Sequence, residues 1–436
     1  MEDHKEGKGT DKTPAISQVF DDGTLVELLY DPATLTTAFA VALPDGSMKV
    51  EPTAVAPTGE RFVPYSPKNN LIVSGCVLLP SDIGDFGDKG DLVEEIQTFL
   101  HRYVDLSPLF EEIAAHFILL TWVYDAFNDL PYLRFRGDYG TGKTRALLAV
   151  GSLCYKPFFA SGASTVSPIF HIQDAFQGTL ILDEADFRFS DQTAELTKVL
   201  NNGTTRGMPV LRTMTNRHRE LNPTAFRVFG PKIIAMRESF SDRALESRFI
   251  TEETGGRRLR SDVPIHLPDT FQDEATELRN KLLGWRLHDR WTIRPDPLRL
   301  IEGVEPRINQ TALALLSLID DAVLRSRIAD HLAGEAARMT DERASSLEGT
   351  MLLALREATV SATTAHLSVA SIAEAFNRHT LPDLGHAMTN KWVGSFLRNR
   401  LRLRTTKTQG NYVVPVTERP RIEALIKRFG VAPEDA

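Results

Sequence analysis

Gly137-Asp138-Tyr139-Gly140-Thr141-Gly142-Lys143-Thr144 fits the pattern G-x-x-x-x-G-K-[ST] at every fixed position. Residues of these types in this order bind phosphate. Gly137, Gly140 and Gly142 let the backbone curl until its N–H groups, that of Thr141 among them, face phosphate oxygens. A helix starting at Lys143 adds the positive end of its dipole. Lys143 is placed to reach the β- and γ-phosphates, and the Thr144 hydroxyl to bind Mg²⁺. The cofactors expected are therefore ATP and Mg²⁺. The context is the required one. An apolar run, residues 132–135, precedes the loop and a helical pattern, residues 145–153, follows it.

Residues 179–184, Thr-Leu-Ile-Leu-Asp-Glu, read as a buried strand ending in two carboxylates. Alone, such an ending is a solvated loop after a core strand. Beside a complete phosphate loop, Asp183 is expected at the Mg²⁺ shell with Thr144, and Glu184 as the general base that orients and deprotonates water. Residues 183–186 also spell DEAD. Lys143 and Asp183 are only 40 residues apart, room for one helix, one strand and one helix, and no second domain of the same kind follows. A DEAD-box helicase is therefore rejected.

The compact spacing resembles the AAA+ class, especially the superfamily 3 and minichromosome-maintenance-like helicases of viruses, plasmids and mobile elements. The resemblance covers about residues 90 to 320. It implies a hairpin projecting into a central channel, on the stretch from Gly203 to Arg219, which holds no acidic residue. Arg206, Arg212, Arg217 and Arg219 would there neutralise DNA phosphates without reading sequence. It also implies that Pro231–Arg237 is the sensor-1 strand. Met236 and Arg237 stand where the family usually has Asn or Thr, which leaves its γ-phosphate contact unassigned. Arg248, in Ser247-Arg248-Phe249, resembles an arginine finger acting on the neighbouring subunit. Arg307, opening a lid helix, resembles sensor 2 and would contact the nucleotide.

These residues need elements to place them. Residues 1–15 read as a disordered tail. Short β-rich runs with Asp-Gly turns occupy residues 16–88. Residues 89–255 alternate short apolar runs and helical segments, the α/β pattern of a P-loop core with a helical lead-in. Residues 256–345 read as a linker and helical lid. Residues 350–436 give two helices and a β-hairpin, which look like a winged helix. In that module Lys391, Arg398, Arg402 and Lys407 are candidate DNA contacts. Residues 388–428 hold ten Lys and Arg against two Glu, a local +8 in a chain of net charge −8. That is the footprint of a phosphate-binding surface.

The 436 residues give a prior of about three domains. Two cysteines exclude a disulfide framework or a Cys-rich metal site. The longest apolar stretch, residues 118–127, is too short to span a bilayer, and the charged N-terminus is no secretory signal. The expectation is a cytoplasmic DNA motor without a membrane partner, an ATPase forming homo-oligomeric rings, hexamers by preference. Two alternatives stand beside the helicase: a DNA-bound ATPase switch or loader that does not unwind, and a DNA-binding protein that does not hydrolyse.

Overall fold

Strand β1 (Lys12–Ala15) pairs in parallel with β7 (Arg61–Pro64), and β7 pairs with β6 (Ala54–Val55). Lys12–Ala15 falls in the stretch read as a disordered tail. Its backbone is ordered by a strand 49 residues away, which a charge-rich local composition does not reveal. Four further strands form an antiparallel sheet: β2 (Ser17–Val19), β3 (Leu25–Asp31), β4 (Thr36–Ala42) and β5 (Met48–Glu51). The computed structural model describes residues 12–183, 191–215, 221–240, 242–256, 258–362, 366–384, 386–408 and 410–431. The chain divides into two compact units, residues 1–329 and 330–436.

In the first unit a short α1 (Asn70–Val73) leads to α2 (Lys89–Tyr103), which buries Leu92, Ile96, Phe99, Leu100 and Tyr103. Helix α3 (Pro108–Trp122) starts at Ser107, as Pro at the first helical position predicts. Ser107 does not cap it, however: its amide and hydroxyl bind the Glu252 carboxylate at 2.7 and 2.8 Å. The chain then alternates strands and helices through β8 (Tyr132–Arg136), α4 (Lys143–Leu153), β9 (Phe158–Ser161), α5 (Val166–Phe176), β10 (Leu180–Asp183) and α6 (Asp191–Asn202). A two-stranded hairpin, β11 (Val210–Thr215) with β12 (Leu221–Phe226), interrupts the alternation. It resumes with β13 (Lys232–Met236), α7 (Arg243–Glu246) and β14 (Phe249–Glu253).

Five of these strands form one parallel sheet in the order β14-β8-β13-β10-β9. Its inner strands are nearly all buried, as expected of a sheet covered on both faces. The order puts β13 between the strand that feeds the phosphate loop and the strand that ends at Asp183. The fold of this unit is therefore α/β around a parallel sheet. Its core runs on without a break into the N-terminal sheets: Val26, Phe39 and Phe62 share a cluster with Tyr132, Phe158 and Leu180.

Residues 270–289 form a long helix, α8 (Thr270–Asp289), where the sequence suggested mainly an irregular linker. Its buried face includes Arg279 and Arg286, and these charges blur the apolar pattern. Arg286 ends in a buried knot. Glu27 of β3 is 1% exposed and accepts from Arg286 Nε at 2.8 Å, Lys156 Nζ at 2.9 Å and the Tyr155 hydroxyl at 2.7 Å. Arg286 also pairs with both oxygens of Asp125 at 3.0 Å, and Arg290 donates to Asp125 at 2.7 Å. The knot fastens the N-terminal sheet, α8 and the connection before β9 together. Helix α9 (Pro306–Leu316) follows.

Helix α10 (Ala322–Ala344) leads into the second unit. That unit contains α11 (Leu347–Val360), β15 (Leu367–Ser368), α12 (Val369–Leu384), α13 (Asn390–Asn399), β16 (Thr406–Thr408), β17 (Asn411–Val414) and α14 (Arg419–Phe429). Its strands form a small antiparallel sheet, β15-β17-β16. Thr389 caps α13, as its residue type allows: Thr389 Oγ1 accepts from the Trp392 N–H at 3.2 Å. Val393 and Leu397 of α13 meet Ile372 and Phe376 of α12 in a separate core.

Candidate nucleotide site

Parallel strands that share a direction deliver their following loops to one edge of the sheet. At the carboxyl edge, β8 runs into residues 137–142 and then into α4. Gly140 and Gly142 have φ of +71° and +89°, the left-handed region. The loop therefore turns sharply and ends at the α4 N-terminus, with Gly142 in the cap position. Lys143 folds back over the loop and donates to the Gly137 and Asp138 carbonyls at 2.7 and 2.6 Å. Thr144 turns the other way: its hydroxyl donates to Asp183 Oδ2 at 2.8 Å, across 39 residues of sequence.

This donor set fits a nucleoside triphosphate with Mg²⁺. A hydroxyl and a carboxylate oxygen are the hard ligands that Mg²⁺ takes, and two of them leave positions for phosphate oxygens and water. Lys143 is bonded to neutral carbonyls, and an anionic phosphate oxygen is a stronger acceptor than either. Among the described residues no cluster of three or more His, Cys, Asp or Glu offers an alternative metal site. Glu184 lies outside the described residues.

Two contacts at the loop were not foreseen. Arg237, just past the end of β13, stacks on the ring of Tyr139, with its guanidinium carbon 3.6 Å from the ring centroid and a bond to the Tyr139 hydroxyl. Thr254, just past β14, places its hydroxyl 2.8 Å from that of Thr141. The Gly255-Gly256 pair after an apolar run was the available signal for the second contact. For the first, the unusual Arg at the end of the strand was the only hint.

The other arginines lie elsewhere. The carbonyl of Arg248 accepts from the Tyr132 N–H at 2.8 Å, so Arg248 is level with the start of β8, at the amino edge. Five residues of strand at about 3.3 Å each put it about 16 Å from its own phosphate loop. Its guanidinium donates to the Asn201 carbonyl. Burial lowers the Arg248 pKa, and the like charge of Arg307 adds to the effect. Arg307 opens α9 and reaches the Ala244 carbonyl at 3.4 Å. The structure thus groups Arg307 with Arg248 and away from the loop of the same chain.

Of the candidate DNA contacts, Arg206 precedes the hairpin and folds back. It donates to the Asp125 and Phe127 carbonyls at 2.9 and 3.0 Å and lies over Phe229. These bonds fasten its loop to the turn after α3. Arg212 lies on β11, paired with Glu195 at 3.0 Å. Arg217 and Arg219 lie outside the described residues. In the second unit Lys391, Arg398, Arg402 and Lys407 are all exposed. Arg398 donates to Thr405 Oγ1 at 2.8 Å, and Lys407 sits opposite the exposed Tyr412 on the β16–β17 hairpin.

No helix among the described residues is long and apolar enough to cross a membrane. No family model and no curated protein matches the sequence. Among solved structures, the chain is similar to the apo C-terminal region of NrS-1, at 12% identity and TM-score 0.41, over 89% of this chain and 96% of that one. It is also similar to the SCCmec type IV Cch active helicase, at 12% identity and TM-score 0.38, over 94% and 95% of the two chains. A full-length MCM homologue from Methanopyrus kandleri gives 12% identity and TM-score 0.36, over 69% of each chain.

Proposed function

We propose that the chain is an ATP-hydrolysing AAA+ motor that acts on DNA as a homo-oligomeric ring, as in the replication of a mobile element. The observation that carries this reading is the 2.8 Å bond between Thr144 and Asp183. It joins the two halves of a nucleotide site that the sequence keeps 39 residues apart. In this reading Lys143 leaves the Gly137 and Asp138 carbonyls for the β- and γ-phosphates. Thr144 and Asp183 would hold Mg²⁺, which when bound would supply charge neutralisation to the phosphates. Glu184, the next residue after Asp183, takes the proton of the attacking water. Arg248 and Arg307, beyond reach of their own loop, serve the nucleotide of the neighbouring subunit.

The DNA-facing surfaces in this reading are two. One is the β11–β12 hairpin, with Arg217 and Arg219 in the sequence between its two strands. The other is the second unit, read as a winged helix, with α13 and the β16–β17 hairpin presenting Lys391, Arg398, Arg402 and Lys407.

The test is ATP turnover by the full chain with and without single-stranded, duplex and forked DNA. DNA-stimulated hydrolysis and strand displacement on the fork are expected. Glu184→Gln should bind ATP normally and lose about 10² to 10⁴ in turnover, since the amide keeps the shape and cannot take a proton. Lys143→Ala should lose binding. A Glu184→Gln variant that hydrolyses ATP at the wild-type rate overturns the general base. Hydrolysis with DNA binding and no strand displacement assigns a switch or loader instead.

A further inference from the structure

Strand β14 ends at Glu253, yet its pairing with β8 continues for one more residue. The Thr254 N–H donates to the Arg136 carbonyl at 2.6 Å, and the Thr254 hydroxyl reaches the same oxygen at 3.0 Å. Arg136 is the residue immediately before the phosphate loop. The Thr254 hydroxyl is also 2.8 Å from that of Thr141, in the middle of the loop. Two glycines permit this approach. A Cβ on Gly137 would come within 2.4 Å of Thr254 Oγ1, and one on Gly255 within 2.4 Å of the Thr141 methyl. Gly255 also takes a φ of +88°, which disfavours any side chain there.

The bonds form a chain that can follow Lys143. The Asp138 carbonyl accepts from Lys143 at 2.6 Å and from Thr141 at 2.8 Å. Each threonine hydroxyl has one proton and two acceptor sites. While Lys143 rests on Asp138, Thr141 can donate to Thr254, and Thr254 to Arg136. Once Lys143 turns to a phosphate, Asp138 keeps Thr141 as its side-chain donor. Thr254 then donates to Thr141. Both hydroxyls stay bonded in either arrangement, and the loop keeps its curl.

We propose that Thr254 is a positioning residue for the phosphate loop, acting through Thr141. It acts from the end of a strand whose other end carries Arg248. This rests on the reading of the loop as an ATP site.

The test compares Thr254→Val, which keeps the shape and removes the hydroxyl, with Thr254→Ser, which keeps the hydroxyl. ATP binding with Mg²⁺ is measured by titration calorimetry, with KM, kcat and the thermal midpoint of the full chain in parallel. Thr254→Val should raise Kd and KM for ATP about fivefold, the worth of one hydrogen bond, with kcat changed less than about twofold. Thr254→Ser should match the wild type, and the midpoints of all three should coincide. A Val variant with wild-type KM, or a Ser variant as impaired as Val, overturns the assignment. A wild-type chain that does not bind ATP overturns the ATP reading and this role with it. Wild-type binding with an unaffected Val variant overturns only Thr254.

Discussion

The two edges of the five-stranded sheet use the same residue types to opposite ends. At the amino edge, charge is locked. Lys156 and Arg286 close on Glu27, and Lys232 closes on the Val228 and Gly230 carbonyls at 2.8 and 2.9 Å. Burial lowers the Lys232 ammonium to about 7. At the carboxyl edge, Arg136 pairs with Glu253, while two other cations also meet neutral groups. Lys143 rests on carbonyls of its own loop, and Arg237 rests on the exposed ring of Tyr139. Carboxylate partners make a cation part of the scaffold, because removing either one strands the other in a low dielectric. Carbonyl and ring partners at a solvent-facing edge leave a cation exchangeable for phosphate. Ligands of open α/β sheets gather beyond the carboxyl ends of the strands for the same topological reason.

Arg248 is where this contrast can be broken most severely. It sits at the amino edge and, like Lys232, donates to a carbonyl, but it is only half-buried where Lys232 is fully buried. If it serves the neighbouring subunit, Arg248→Ala should bind ATP nearly normally and lose about 10³ or more in turnover, the scale of arginine fingers in GTPases. Mixing it with Lys143→Ala should restore part of the ATPase, because a mixed ring contains interfaces with one intact loop and one intact finger. Absence of recovery in particles shown to be mixed would return Arg248 to the locked edge as a structural residue.

Glu27 tests the locked edge itself. Glu27→Ala removes the carboxylate that Lys156 closes on and leaves Arg286 with Asp125 alone, a change of about 3 to 5 kcal/mol against the folded state. A fall in the denaturation midpoint is expected, while the folded fraction keeps its KM for ATP. A wild-type midpoint would show that the knot is neutral to stability.

The unequal legibility of the two edges has a physical cause. The phosphate loop is local: its glycines, lysine and threonine lie within eight residues, flanked by a strand and a helix that their own patterns disclose. The knot is assembled from residues 27, 125, 155, 156, 286 and 290, and Arg286 lies 259 positions from Glu27. Nothing near Lys156 or Arg286 in sequence distinguishes either from a solvated surface residue. Strand β14 is hard to read in the sequence because its five residues end in two glutamates, and one of these, Glu252, is buried on Ser107. The arginines make the same point. Arg206 and Arg398 look alike in sequence, but only the position of the turn after α3 shows that Arg206 folds back. The helix starts marked by Pro108 and Thr389 are legible because their signals are local.

The smallest effect sharpens the contrast through pH. Asp125 lies between Arg286 and Arg290. Burial raises its pKa, but the two guanidiniums outweigh burial and hold it at about 2, against 3.8 in an unstructured chain. The folded state therefore binds this proton less tightly than the unfolded state. Its contribution is complete above a pH of about 4 and disappears as the pH falls toward 2, a loss of about 2 kcal/mol. Asp125→Asn should be less stable than wild type at neutral pH, and the gap should close over that acid range. ATP affinity measured at neutral pH should be the same for both proteins, since the carboxyl edge holds none of these partners. A stability gap that stays constant from a pH of about 5 down to about 2.5 would mean that Asp125 is not the ionised partner of the two arginines. A raised KM for ATP in Asp125→Asn would instead show that the locked edge reaches through the sheet to the exchangeable one.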